Sequence, residues 1–186
     1  DLPGENSGAM PSKELKRQVY NETWYVGDLC NTSIGQGLLS ATPLQMTVAT
    51  AAIENGGRVL KPKLVNRFED NNGEVIKKEE SEVVENLNIE QKNLDIIKNA
   101  MKGVVRDPNG TGGKLSFVKD YLIAKTGTAT APVTINGIRY NQPHAWVTGV
   151  FEKDGRKYAF TANIAHGGWG EVSVDVMKEF FEQIYQ

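Results

Sequence analysis

Two runs rich in apolar and β-branched residues flank the dipeptide Asp154-Gly155: His-Ala-Trp-Val-Thr-Gly-Val-Phe at 144–151 and Lys-Tyr-Ala-Phe-Thr-Ala-Asn-Ile-Ala at 157–165. Asp-Gly tolerates positive φ at both turn positions, so the runs are expected to fold back on each other as an antiparallel hairpin. This is the strongest pairing signal in the 186 residues, and it commits the chain to an antiparallel sheet. Gly167-Gly168-Trp169-Gly170 then breaks the strand. A final helix is expected from about Val172 to Ile184, with Val176, Met177, Phe180 and Ile184 on one face.

A further strand precedes the hairpin. The apolar run Tyr121, Leu122, Ile123 enters Ala124-Lys125-Thr126-Gly127-Thr128-Ala129. A hydroxyl-rich, β-branched segment with a central glycine reads as a strand that another chain approaches closely. Residues two apart share a face, so Thr126 and Thr128 point the same way. With the Lys125 ammonium they suit a carboxylate carried by an extended peptide. Gly127 leaves room for a ligand backbone.

Upstream, the first thirty residues are rich in turn formers and read as loops with one short helical turn, anchored by Trp24 and Tyr25. Ser33-Ile34-Gly35-Gln36-Gly37 is a tight turn whose glycines allow positive φ. The clearest helix start follows. Thr42 and Gln45 form a capping box, Pro43 fits the first helical position, and Asn55-Gly56-Gly57 stops the helix. Lys61–Phe68 and Glu74–Lys78 flank Asp70-Asn71-Asn72-Gly73 as a small surface hairpin, and the charged run Lys77–Glu82 reads as a solvated edge. A second helix is expected from about Ile89 to Val105, capped by Asn88, with Leu94, Ile97, Met101 and Val104 on one face. Asp107-Pro108-Asn109-Gly110 ends it. Helices followed by strands and a last helix make the fold α+β, with a short antiparallel sheet of about three main strands packed with helices.

Composition narrows the function. A net charge of −2 argues against nucleic acid, which wants a basic stripe. No window reaches the length of a membrane span. A single cysteine, Cys30, excludes an internal disulfide and reads as a small, partly buried side chain. His144 and His166 do not have metal-ligand spacing, and no metal or cofactor is called for. The chain opens Asp1-Leu2-Pro3-Gly4-Glu5 without a methionine, and the expectation is a boundary inside a larger protein.

Taken in order, the motifs resemble one family. They are Asp1 to Glu5, Ser7-Gly8-Ala9-Met10-Pro11, Trp24-Tyr25-x-Gly27-Asp28, Ser33-Ile34-Gly35-Gln36-Gly37, Thr42-Pro43-Leu44-Gln45-Met46, Asn55-Gly56-Gly57, Pro108-Asn109-Gly110-Thr111, Lys125-Thr126-Gly127-Thr128-Ala129 and His144-Ala145-Trp146. Their collinear order is similar to that of class B penicillin-binding proteins, most of all the elongation-type, penicillin-binding protein 2-like branch. Residues 66–92 and 130–142 match least and are expected to be variable surface.

The resemblance implies a partial transpeptidase fold of the penicillin-binding-protein and β-lactamase kind. It also implies a D,D-transpeptidase that attacks the D-Ala-D-Ala end of a peptidoglycan stem peptide with a serine, passes the acyl group to an amine, and is trapped by β-lactams. By that resemblance Lys125 borders the proton-shuttling network. The Thr126 and Thr128 hydroxyls bind the terminal carboxylate, Gly127 admits the substrate, and the Thr128 backbone N–H supplies one oxyanion donor. The strand itself pairs with the substrate backbone. The parent would lie on the extracytoplasmic face of the bacterial membrane, with an anchor and a glycan polymerase as partner.

The chain also departs from the family pattern. It contains no Ser-x-Asn, and its one Ser-x-x-Lys, Ser116 to Lys119, directly precedes the Lys-Thr-Gly strand. Eight residues separate Ser116 from Lys125, too few for the buried helix that carries the family's nucleophile. Ser116 therefore reads as a decoy. The whole of 1–186 reads as the C-terminal portion of a transpeptidase domain without its nucleophile, inactive alone. The resemblance further implies that strand 157–165 lacks a partner and exposes an edge suited to self-association. Two alternatives carry less of the pattern: a β-lactamase or β-lactam sensor, and a non-catalytic peptide-binding module.

Overall fold

Residues 3–130 and 132–185 are described by a computed structural model, and expectations resting on Asp1 and Leu2 lie outside them. The elements run α1 (Lys13–Tyr20), α2 (Val26–Ser33), α3 (Pro43–Glu54), β1 (Arg58–Leu60), β2 (Arg67–Glu69), β3 (Val75–Lys78), β4 (Val83–Asn86) and α4 (Gln91–Arg106). A 3-10 helix (Gly113–Val118) follows, then β5 (Leu122–Ala129), β6 (Val133–Ile135), β7 (Ile138–Tyr140), β8 (His144–Lys153), β9 (Arg156–Ile164) and α5 (Glu171–Ile184).

The expected hairpin is present as β8 and β9. Asp154 and Gly155 both take positive φ, 52° and 70°, which matches the twist of the flanking strands. β5 pairs antiparallel with β8 on its other side, Lys125 opposite Thr148 and Thr128 opposite Ala145, so the sheet order is β5-β8-β9. The three main strands expected from the sequence are these. Among the described residues no strand pairs with the outer edge of β9.

One face of this sheet is the core. Leu122, Ala124, Val147 and Phe151 point into it and meet Val105, Leu115, Val118, Val174, Met177 and Phe181. Phe181 is fully buried and stands edge-on to Phe151 and Phe160, with centroids 5.3 and 5.6 Å apart. Such pairs contribute about 0.5–1.5 kcal/mol each beyond simple burial. The other face meets α3, where Thr50 and Thr148 share a hydroxyl hydrogen bond of 2.7 Å.

α3 begins as its sequence dictates: Thr42 Oγ1 accepts the Gln45 N–H, and Gln45 Oε1 accepts the Thr42 N–H at 2.9 Å. Gly56 and Gly57, at φ 87° and 88°, carry the chain away from it.

Other expectations need correction. The first thirty residues hold α1 and most of α2 rather than one turn. Ser12 caps α1, Asn21 in the left-handed region closes it, and Asp28 accepts the Tyr25 N–H at the start of α2. The two helices are tied by Lys16, which is buried, pairs with Asp28 at 2.6 Å and lies over the Tyr25 ring. That hydrogen bond holds the Asp28 carboxyl below its ordinary range. Trp24 is half-buried, but Tyr25 and Cys30 are exposed.

The hairpin around Asp70–Gly73 is shorter than expected. Residues 61–66 carry Pro62, which lacks a ladder donor, and they lie outside the strands. β1 pairs with β4 instead. Asn88 has φ 50° and turns the chain, so α4 starts after Glu90. Its buried residues are Leu94, Met101 and Val105, while Ile97 is exposed. α5 buries Ser173, Val174, Met177 and Phe181, which leaves Val176 and Phe180 exposed. The helix is rotated to seat Phe181 against two aromatic rings.

Gly149 sits where β5, β8 and β9 crowd together: a Cβ there would lie 2.3 Å from the Ile123 carbonyl oxygen and 2.8 Å from the Phe160 ring. Gly149→Ala should therefore cost about 1–3 kcal/mol of stability, read as a lowered urea midpoint with an unchanged slope.

Candidate active site

Backbone direction decides what β5 offers. In an antiparallel pair the N–H and C=O of one residue point to the same side, and successive residues alternate. The Tyr121 carbonyl accepts the Glu152 N–H, so the odd-numbered residues face β8. The carbonyls of Thr126 and Thr128 face the free edge, where they accept from Lys125 Nζ and Gln36 Nε2 at 2.6 and 2.7 Å. By the same geometry the Thr128 N–H points to that edge.

This edge opens on a groove of about 610 Å³. Its walls are β5, the loop over 34–42, the start of α3, and the β8 face that carries His144, Trp146 and Thr148. Lys125, Thr126, Gly127 and Thr128 all line it.

The hydroxyls lie on the α5 side of the strand. Thr128 Oγ1 accepts the Gly170 N–H at 3.1 Å, which leaves its proton free to donate. Thr126 and Thr111 share one hydrogen bond of 2.6 Å, so one of their two protons stays available. Thr111 reaches this position because its loop folds hard onto the last turn of α4. The Gly112 N–H donates to the Val104 carbonyl at 2.9 Å, and a Cβ at Gly110 would lie 2.3 Å from that same oxygen.

Gly127 faces Trp146 across the ladder, and a Cβ on it would lie 3.3 Å from the Trp146 Cβ. The glycine thus accommodates a neighbour of its own sheet. The Trp146 indole N–H is buried and has no acceptor among the described residues. Trp169 is 73% exposed.

At the end of the groove the fold joins two histidines that the sequence keeps 22 positions apart. His166 has φ 52°, its N–H donates to His144 Nδ1 at 2.9 Å, and the ring centroids are 4.5 Å apart. His166 Nδ1 lies 3.0 Å from the Gln142 carbonyl, which only accepts, so that nitrogen carries the proton. Among the described residues no three His, Cys, Asp or Glu side chains are grouped to hold a metal.

Ser116 is exposed, on a six-residue 3-10 helix that buries Leu115 and Val118. The sequence reading missed Thr111, the Gln36 side chain and the histidine pair. Only Gln36 had a local signal, a polar side chain held between two glycines that both take positive φ.

A three-stranded sheet with Lys-Thr-Gly-Thr on its edge strand, packed between α3 and α5, is part of a penicillin-binding-protein transpeptidase-like fold. The chain belongs to that family: the profile described as "Penicillin binding protein transpeptidase domain" matches residues 1–186. Its relatives are of the class B, elongation type. The peptidoglycan D,D-transpeptidase MrdA of Salmonella typhimurium is 28% identical over 195 residues, covering 100% of this chain and 31% of the relative. MrdA of Haemophilus influenzae is 30% identical over 181 residues, covering 91% of this chain and 27% of the relative.

Among solved structures, penicillin-binding protein 2 of Pseudomonas aeruginosa, in complex with WCK 5153, is 27% identical with a TM-score of 0.75. That similarity covers 98% of this chain and 38% of the other. Penicillin-binding protein 2 of Helicobacter pylori, in complex with MreC, gives 27% identity and a TM-score of 0.72, over 99% of this chain and 32% of the other. The chain thus spans about a third of the length of these relatives.

Burial, and then the neighbouring His166, hold the His144 imidazole below its ordinary range near pH 6.5. A lowered pKa favours the neutral form. The stabilisation is therefore complete above the ordinary value and is lost as pH falls through the lowered one. NMR titration should show His144 protonating below the ordinary range, with the His166 amide shifting in the same step as its acceptor is lost.

Proposed function

We propose that the chain is the substrate-gripping, C-terminal portion of a peptidoglycan D,D-transpeptidase domain, whose serine lies in a longer form of the protein. The observation that carries this reading is the groove-facing edge of β5. It presents the Thr128 N–H, the Thr126 and Thr128 hydroxyls and the Lys125 ammonium along one groove.

In this reading the D-Ala-D-Ala end of a stem peptide, or a β-lactam, lies against β5. The hydroxyls hold its carboxylate and Lys125 supplies positive potential and borders the proton network. The Thr128 N–H stabilises the oxyanion that forms when the serine attacks. Gly127 lets strand and ligand approach along this segment. The bond broken is the amide to the last D-Ala, and the acyl group passes to an amine of a neighbouring strand. The longer protein works at the extracytoplasmic face of the membrane beside a glycan polymerase. β9's free edge pairs with an upstream strand there, and with a second copy in the chain alone.

A specific observation favours one other reading, a non-catalytic peptide-binding module. Ser116, which begins the only Ser-x-x-Lys of the sequence, is exposed on a six-residue 3-10 helix.

Fluorescent penicillin separates these readings. The chain should stay unlabelled, whereas a longer form carrying Ser-x-x-Lys and Ser-x-Asn upstream should label. Lys125→Ala in that form should slow labelling by roughly a hundredfold or more. Labelling of the chain at Ser116 would overturn the assignment, and a longer frame without those motifs would favour the binding module. Sedimentation should show concentration-dependent dimers of the chain; a monomer whose β9 amides are slow to exchange excludes the edge pairing.

A further inference from the structure

A strand that adds to β5 must exchange hydrogen bonds with both the N–H and the C=O of Thr128, because an edge residue offers the two together. The carbonyl is already taken. Gln36 Nε2 donates to it at 2.7 Å, and Gln36 Oε1 accepts the Thr130 N–H at 3.2 Å. A carboxamide carries a donor and an acceptor on one carbon, so one side chain satisfies two peptide groups that an added strand would otherwise meet. These contacts join residues 92 and 94 positions apart.

The loop that delivers Gln36 is firmly built. Its backbone N–H donates to the Asn31 carbonyl at 2.9 Å, and the Gly35 N–H donates to the Thr32 carbonyl at 3.0 Å. Gly35 and Gly37, at φ 76° and 78°, let the chain turn so that the side chain between them reaches the strand. Gln36 itself is half-buried and lines the groove. Its two hydrogen bonds end on backbone atoms, so it can leave without unpacking the core.

We propose that Gln36 is a specificity-determining residue, a stand-in for the ligand's own amide that a bound peptide must displace from the Thr128 carbonyl. A ligand with an N–H donor at that point replaces the lost bond. A ligand without one leaves a carbonyl unsatisfied and is disfavoured. Gln36 thereby selects extended peptides and amide-bearing mimics. While no ligand is bound it also closes the strand edge against another chain. The ligand half of this inference rests on the peptide-binding role proposed above; the contact itself does not.

The test uses the 186-residue chain, with amide exchange and NMR as readouts and diacetyl-L-Lys-D-Ala-D-Ala as the probe. Without peptide, Thr130 amide exchange should quicken about fivefold or more in Gln36→Ala. It should stay slow in Gln36→Glu, which keeps the acceptor and loses the donor. Val147 amide protection, deep in the sheet, reports that each variant is folded.

With peptide, the Gln36 side-chain NH₂ resonances should move and Thr130 protection should fall in the wild type. Gln36→Ala should bind about fivefold tighter, because no hydrogen bond has to be broken first. Unchanged Thr130 exchange in Gln36→Ala overturns the contact. Unmoved Gln36 resonances at saturation, or no gain in affinity, overturn the displacement. Failure of the peptide to bind either form, with Thr130 protection still lost in Gln36→Ala, overturns the peptide-binding role and leaves the edge closure standing.

Discussion

The seat of Phe181 between Phe151 and Phe160 governs the rest of the structure. α5 is the last of the elements, yet it covers the buried face of a sheet whose strands begin about fifty residues before it. Burying a side chain of this size contributes about 1.5–3 kcal/mol. The larger effect is orientational. With α5 held over that face, its N-terminal residue Gly170 meets Thr128, and the Thr128 hydroxyl is aimed by a backbone N–H. A Cβ at Gly170 would lie 2.8 Å from the Gly127 carbonyl oxygen, so the close approach depends on this glycine. Core packing and site geometry are thus consequences of the same helix placement.

The groove is assembled from parts that no local rule joins. β5 supplies an edge, the turn at Gly35-Gln36-Gly37 supplies a carboxamide, and the loop after α4 supplies the Thr111 hydroxyl. β8 supplies the Trp146 indole, whose buried N–H has no acceptor among the described residues. Unpaired buried donors cost about 1–3 kcal/mol. One of them on a groove wall fits a surface shaped to receive a further group. The ion pair between Glu54 of α3 and Lys157 of β9 fastens the far end of the same layer, where α4 also contributes Lys98 at 4.0 Å. Glu54 and Lys98 are half-buried and Lys157 is exposed, so solvent still screens these pairs and the groove rests chiefly on packing and backbone geometry.

Membership of the penicillin-binding transpeptidase family and this geometry agree with each other. Relatives of the MrdA kind extend over about three times the length of this chain, and the similarity runs through nearly all of it. Within that family framework these residues form a wall: a strand edge with hydroxyls, an ammonium and a directed backbone N–H. The reaction proposed for the longer protein would need a nucleophile facing that wall. Ser116 is exposed on the 3-10 helix before β5 and is not among the residues that line the groove.

Much of this was legible in the residues themselves. Asp154-Gly155 determined the β8–β9 hairpin because few dipeptides accept positive φ twice in succession. Thr42, Pro43 and Gln45 determined where α3 starts because a capping box is satisfied within four residues. Lys125-Thr126-Gly127-Thr128 announced a strand, and the order of motifs announced the family. What the residues left open was every choice made by partners distant in sequence. Ile97 and Val176 kept the right spacing yet point to solvent, because helix rotation is decided by what the helix packs on. Loops with one short helical turn are all that the local residues of this segment suggest, and α1 and α2 exceed it because the Lys16–Asp28 pair that joins them is a tertiary contact. The hydroxyls of Thr126 and Thr128 were correctly placed on one face. Only the fold decided that Thr111 and Gly170 would meet them there, and that Gln36 would hold the strand's free edge. Local conformation is written in short-range sterics and capping, whereas a site is made where chain segments meet.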